Sequence, residues 1–391
     1  MQPSLSWRTS LRCDDFPAAD YEQLRQAVAD ATPFNSLAWL QAAEQALPAD
    51  QSLQILLGHD AGRLCLCLPL IVCLERQGPL TFRVVRHLGY PMSDRIGLLM
   101  DLSSLNATLV LKAIRQKLPH ALLQLSEVTG ESPWLQCWAQ RSSTFEQRLA
   151  CRAPVHQLSD ADRQEVSGDP RYKLRRARKR IAALGAQVRR VTPTADNALQ
   201  WLEAVSAVEA VSWKGDDGVG IFSLPAQRQW MFQAFAALAA DGRLRLVVLE
   251  LDGRCISYRL GLLERGRLYD YNLAFIPQYA DLGSGRALLQ EWIDWGLDEG
   301  WQWIDASRVS LENSSHQLHE RMTGQVEHWR QSFYSWRPSG LCLGLALRLW
   351  QRLKPWFKAR QARAVASPAV PSTPPSNQQE RQDAIPGHSQ R

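Results

Sequence analysis

Several absences narrow the reading of this 391-residue chain before any motif is considered. Its eight cysteines include no Cys-x-x-Cys pair, which argues against a disulfide framework or a zinc site. No segment carries the apolar run needed to span a bilayer. The opening stretch, MQPSLSWRTSLRCDDF, has no apolar core of signal-peptide length, so a cytoplasmic protein is expected. Charge of neither sign dominates: the formal net charge is +6, which favours anionic partners without choosing among them. No Gly-Lys-Ser/Thr follows its glycines, which excludes the ATP-type P-loop.

Apolar residues make up 45% of the chain, and the length allows two or three domains. Fifteen tryptophans point first to aromatic packing and second to carbohydrate-binding surfaces. Cys65 and Cys67 are expected to share one face of a strand as small buried hydrophobes.

The chain repeats one supersecondary plan. Residues 244–251, 254–263 and 267–275 read as three antiparallel strands joined by Asp252-Gly253 and Glu264-Arg265-Gly266. A glycine loop, a helix from about Arg286 to Glu299, a stop at Gly300 and a strand over 301–307 follow. Residues 53–89 have the same layout, with LERQG at 74–78 echoing LERGR at 263–267. A helix near 104–118 and a strand over 121–128 complete the first copy, roughly 190 residues upstream. The first copy has GYPMSDRIGLLM where the second has its glycine loop.

Two basic helices stand apart. In DPRYKLRRARKRIAALG, Asp169 is the expected N-cap and Gly185 the stop, with Leu174, Ala177, Ile181 and Leu184 on one face. The other face carries Arg171, Arg175, Arg176, Arg178, Lys179 and Arg180, either as a solvated face or as an anion-binding rim. No nucleic-acid motif accompanies it, and no nucleic-acid partner is expected. Residues 341–360, LCLGLALRLWQRLKPWFKAR, read as a helix lying on anionic membrane or docked on the domain, kinked at Pro355. The Pro-, Ser- and Gln-rich residues 366–391 are expected to be disordered.

Leu282, Gly283, Ser284, Gly285 and Arg286 open the helix of the second copy. A helix N-terminus offers unpaired amides and a partial positive charge, and glycines let an anion come close. A dinucleotide fingerprint would need Gly or Ala at position 288, where Leu288 stands. The stretch LGSGRALLQEWIDWGLDEG resembles the acyl-CoA loop of the GNAT superfamily, except that Ala280 stands where that family usually has Arg or Gln. Three further stretches resemble the two-lobed cellulose-biosynthesis acetyltransferase (CelD-type) group, a relative of the Fem-type transferases. They are TPFNSLAW at 32–39, RYKLRRARKRIAALGAQV at 171–188, and Glu209, Ser212, Trp213, Lys214 and Gly215 in EAVSWKGDDGVGIF. After Asp305 the sequence does not reproduce that group's aromatic-Lys element.

The resemblance implies an α+β fold of tandem GNAT-like lobes, each a mostly antiparallel mixed sheet flanked by helices. Its expected bounds are 1–155 for a degenerate first lobe and 156–340 for an acyl-CoA-binding second lobe, followed by the basic helix 341–365 and the tail. It implies transfer from acetyl-CoA or another acyl-CoA to a sugar or cell-envelope precursor, with no metal. A Fem-type transferase drawing on charged tRNA, or a non-catalytic membrane-associated protein, are the alternatives. Glu209, Asp270 and Asp305 are base candidates, and Trp213, Lys214 and Asn272 are candidate acceptor contacts. Alternation in RLYDYNLAF places Asp270 and Asn272 on one strand face. His316 and His319 are read as surface polar residues.

Overall fold

Two hairpin turns set the frame. Ala61-Gly62 and Asp252-Gly253 each put consecutive residues at positive φ, 48° and 83° in the first and 49° and 75° in the second. Such pairs make the two-residue turn whose twist matches the strands it joins. The computed structural model describes residues 3–29, 31–129, 133–140, 144–164, 167–306 and 322–366. The chain divides into two units, Met1–Leu343 and Gly344–Arg391.

In the first unit, β1 (Ser4–Arg8), β2 (Ser52–Asp60), β3 (Arg63–Gln77), β4 (Leu80–His87), β5 (Leu99–Met100) and β6 (Leu122–Thr129) belong to the first half. The helices α1 (Ala18–Ala27), α2 (Leu37–Gln45), α3 (Ala107–Lys117) and α4 (Pro133–Gln140) accompany them. After β7 (Phe145–Gln157) come α5 (Gly168–Leu184), β8 (Gln187–Val191), α6 (Ala198–Ala210), α7 (Trp213–Asp216) and α8 (Pro225–Ala240). Then follow β9 (Leu244–Leu251), β10 (Arg254–Glu264), β11 (Arg267–Phe275), α9 (Ser284–Glu299), β12 (Trp303–Asp305) and β13 (Gly324–Tyr334). The last helix, α10 (Pro338–Ala366), runs into the second unit and continues past Pro355.

All the strands form one mixed sheet in the order β1-β2-β3-β4-β6-β13-β7-β12-β11-β10-β9-β8, with β5 paired to β3. Each half has three antiparallel strands and then a parallel one across a helix: β4 with β6, and β11 with β12. The expected tandem plan is therefore present. The halves also trade strands. β7 follows the first half yet pairs with β12 of the second, and β13 follows the second yet pairs with β6 of the first. β7 and β13 pair with each other along the middle. Residue 155 falls inside β7.

Both halves carry a bulge at matching places. The register slips between Gly58 and His59, leaving Cys65 as the extra residue, and between Cys255 and Ser257, leaving Ile256. A bulge flips the alternation that follows it. Cys65 and Cys67 consequently enter separate apolar clusters instead of sharing a face, although both are buried as expected. α5 begins at Gly168, and Asp169 pairs with Lys173 at 2.5 Å instead of capping. Gly185 ends that helix at φ 77°. Leu184 is 39% exposed, outside the buried stripe of Leu174, Ala177 and Ile181.

Aromatic packing joins the halves. Trp39 of α2 lies 5.6 Å from Tyr271 of β11 and 6.0 Å from Phe235 of α8. Arg25 of α1 pairs with Glu264 of β10 at 2.9 Å, both nearly buried. Seven tryptophans are buried, whereas Trp213, Trp336, Trp350 and Trp356 are each more than half exposed, so packing accounts for about half of them.

His87 of β4 is buried, and its Nδ1 donates to the Leu88 carbonyl at 3.1 Å. Burial pushes its pKa down to about 4. A folded-state value below the unfolded one contributes stability above the unfolded pKa, lost as pH falls through the folded pKa. Thermal melts are expected to show a decline between about pH 6.5 and pH 4, worth up to about 3 kcal/mol, that is shallower in His87→Phe.

Candidate active site

A further slip, between Leu260 and Gly261, governs the site. Leu260 pairs with Asn272 and Gly261 with Asp270, so Tyr271 is the extra residue of β11. Asp270 and Asn272 therefore face opposite sides of the sheet, not one side as alternation alone predicts. Asp270 faces α9 together with Arg259, and Asn272 faces α6 together with Tyr258.

On the α9 side, Arg259 Nη1 donates to Asp270 Oδ2, and both side chains are 1% exposed. Arg259 Nε also donates to the carbonyl of Gly285 at 3.3 Å. Burial pushes the Asp270 carboxyl up, and Arg259 offsets part of this. Gly283 adopts φ 68°, a left-handed conformation that suits glycine, and turns the chain into the helix. A Cβ at Gly283 would touch Ala177 of α5 at 3.4 Å, whereas a Cβ at Gly285 would meet nothing within 4 Å. No described residue accepts a hydrogen bond from the amides of Ser284 or Gly285. The first turn of α9 thus has two amides with no described acceptor, although Ser284 itself is buried. Arg180 of α5 donates to the Asp281 carbonyl beside it, and Leu282 packs on the apolar core. Arg171, Arg175, Arg176, Arg178 and Lys179 are exposed along α5, and Arg286 is half-buried.

On the α6 side, Glu209 is 1% exposed at the end of its helix. Its Oε1 accepts from the Phe222 amide at 2.8 Å, and its Oε2 accepts from Asn272 Nδ2 at 2.6 Å. Asn272 Nδ2 also reaches Tyr258 Oη at 3.0 Å, and Asn272 Oδ1 accepts from Lys214 Nζ. Ser212 caps α7 by accepting from the Lys214 amide at 3.2 Å. Two glycines make the fold-back possible: a Cβ at Gly215 would collide with the Ala210 carbonyl, and one at Gly220 with Glu209 Oε1.

This array forms one wall of a cavity of about 350 Å³ lined by Lys214, Asn272, Gly220, Gln227, Tyr271 and Asp94. Burial pushes the Lys214 ammonium pKa down, and Glu209, Asp270 and Asp94 oppose the shift. Trp213, 51% exposed, stands next to Lys214, with the ammonium 6.0 Å from its ring centroid.

Glu209, Lys214 and Asn272 are therefore brought together, with Glu209 one layer behind the cavity wall. Asp270 lies on the opposite face. Asp305 is 1% exposed at the end of β12 and is paired with Arg95. Burial lowers the Arg95 pKa to about 10. Ser307, His316 and His319 lie outside the described residues, as does the tail from residue 367.

The sequence reading missed Asp94 and Arg95. Both sit in GYPMSDRIGLLM, which had been noted only as a departure from the second copy's loop. That segment is pinned from several sides. Thr32 Oγ1 donates to the Arg95 carbonyl at 2.7 Å and Asn35 Nδ2 to the Gly97 carbonyl at 2.8 Å. Tyr271 Oη donates to the Met92 carbonyl at 2.7 Å, and His328 Nδ1 to the Asp94 carbonyl at 3.0 Å. Glu127, Cys151 and His328 form a buried cluster beneath it, in which the Cys151 thiol donates to Glu127 at 3.2 Å.

Residues 168–313 match a family model described as an acetyltransferase (GNAT) domain. No curated protein matches the sequence at a significant level. Among solved structures, FemX is similar at 11% identity and a TM-score of 0.57, over 88% of this chain and all of that one. The C-terminal domain of a putative lysylphosphatidylglycerol synthetase from Agrobacterium fabrum is similar at 12% identity and a TM-score of 0.52, over 86% and 95%. A conserved protein of unknown function from Bacteroides thetaiotaomicron gives the same identity and TM-score over 82% and 99%. Residues 168–313 thus resemble a GNAT-type acetyltransferase domain, and the chain shares the fold of these solved structures.

Two substitutions separate support from surface. Glu209→Ala strands the Phe222 amide and Asn272 and is expected to cost about 3 kcal/mol, read as a lowered Tm. Lys214→Met is expected to move stability by less than about 1 kcal/mol while altering the cavity charge, and paired thermal melts check both.

Proposed function

We propose that the protein is an acyl-CoA-dependent N- or O-acyltransferase whose acceptor is a sugar or cell-envelope precursor. The observation that carries this reading is the arrangement of two stations on opposite faces of β11. The glycine start of α9, with its unaccepted amides, lies on one face, and the Lys214–Asn272–Asp94 cavity lies on the other. β11 and β12 pair over three residues, ending at Tyr269 and Asp305, and β11 then runs on to Phe275 with no described strand on that edge. In this reading the acyl end of a donor bound at α9 passes that edge of β11 to reach the acceptor side.

In this reading the amides of Ser284 and Gly285 hold the diphosphate of the donor, aided by the helix dipole and by Arg286. A main-chain amide on the free edge of β11 polarises the thioester carbonyl. The acceptor amine or hydroxyl attacks that carbon, the carbon–sulfur bond breaks, and the acceptor proton ends on the thiol of the released CoA. Asp94 and Lys214 are the charged groups on the cavity wall, and the first proton passes from the acceptor to the Asp94 carboxylate, or to Lys214 in its neutral amine form. Glu209 positions Lys214 through Asn272. Asp270 and Asp305 are assigned to holding Arg259 and Arg95, not to proton transfer. An exposed tryptophan beside Lys214, at a cavity that also carries Asp94, Asn272 and Gln227, suits a sugar ring, which supports a saccharide acceptor. The CelD-like stretches agree with this: Thr32 and Asn35 hold the Asp94 segment, and Lys214 of the 209–215 stretch lines the cavity with Glu209 behind it.

Titration calorimetry with acetyl-CoA is expected to give binding in the wild type and none in Gly285→Glu, with Lys214→Met retaining it. Silence in the wild type, or unchanged binding in Gly285→Glu, overturns the assignment. Activity that depends on charged tRNA and disappears with RNase moves the protein to the Fem-type reaction.

A further inference from the structure

α10 is unlike every other helix of the protein in what it shows to solvent. Leu345 is 72% exposed, Leu349 55%, Trp350 52%, Leu353 41% and Trp356 56%. At 100° per residue these five side chains fall within an arc of about 140°. Arg348 and Arg352 border one edge of the arc, and Lys354 borders the other. Between Pro338 and Ala366 the sequence has six Lys or Arg and no Asp or Glu. No described helix is long and apolar enough to cross a membrane.

We propose that this face of α10 seats the protein on the surface of an anionic bilayer, with the helix lying in the plane of the headgroups. The chemistry selects the occupant. An apolar stripe alone would suit a protein groove or a second copy. Here cations line both margins and no acidic residue interrupts them, which suits a surface that is apolar at depth and negative at its rim. Two tryptophans on the stripe add side chains with an apolar body and a polar N–H, the pairing found at membrane–water interfaces. The cations also prevent burial through the bilayer, so the helix lies on the membrane without spanning it. This inference is independent of the acyl-transfer reading.

The test is flotation of the full chain with vesicles of phosphatidylcholine, with and without phosphatidylglycerol. Wild type is expected to float with the anionic vesicles at least about tenfold more than with the neutral ones, and to lose most of that advantage in high salt. Leu349→Asp/Leu353→Asp is expected to stay at the bottom while keeping the wild-type Tm and the wild-type response to acetyl-CoA. Three results overturn the proposal. One is no flotation by wild type. Another is flotation equal in the double variant, which moves any membrane contact elsewhere. The third is a wild-type dimer in sedimentation that becomes a monomer in the double variant without flotation by either, which assigns the stripe to a second copy of the chain.

Discussion

Arg259 and Asp270 are paired beneath α9 with almost no access to water, and their pairing fixes the geometry of the site. Burying an ion costs several kcal/mol, so neither residue is stable there without the other. The pair forms because the slip opposite Leu260 turns Asp270 toward α9. Arg259 then has a hydrogen bond to spare for the Gly285 carbonyl, which ties the first turn of α9 to the strand below it. The same slip turns Asn272 the other way, into reach of Glu209 and Lys214. One added residue in β11 therefore sets both where the helix mouth sits and where the cavity wall is built.

The cavity is a joint product of the two halves. Its floor and one wall come from the second half, whereas Asp94 is delivered by a segment of the first. That segment has no regular hydrogen-bonded ladder of its own over residues 91–98, so its carbonyls are satisfied by side chains: Thr32, Asn35, Tyr271 and His328. Buried polar backbone has to be paired, and here that requirement recruits residues from both halves. The Arg25–Glu264 pair and the packing of Trp39 against Tyr271 reinforce the alignment from the same side.

Much of this was legible in the sequence. The Asp252-Gly253 turn, the strands it joins, the glycine stop of α5 and the glycine start of α9 all follow from local chemistry that one segment settles by itself. The duplication was visible because both halves repeat those local signals. What escaped were features decided by a partner strand. The bulges at Cys65, Ile256 and Tyr271 have no marker residue, and each inverts an alternation that reads correctly up to that point. Asp94 and Arg95 sit in a segment with neither helical nor strand period, and only the approach of the second half gives them neighbours. Glu209, Lys214 and Asn272 were picked out one by one, but 63 residues separate Glu209 from Asn272, and the hydrogen bond between them was not readable from either stretch.

The trade of β7 and β13 has a consequence for what a half of this protein would be. Cut between its halves, either piece would keep an unpaired sheet edge and carry a loose strand shaped for an edge of the same kind. Two identical pieces would satisfy each other by exchanging those strands about a twofold axis, which is domain swapping in its simplest form. The full-length chain therefore has the topology of a swapped homodimer whose subunits have been joined end to end. In that arrangement the segment of the first half that stands in place of a glycine loop serves the cavity of the second.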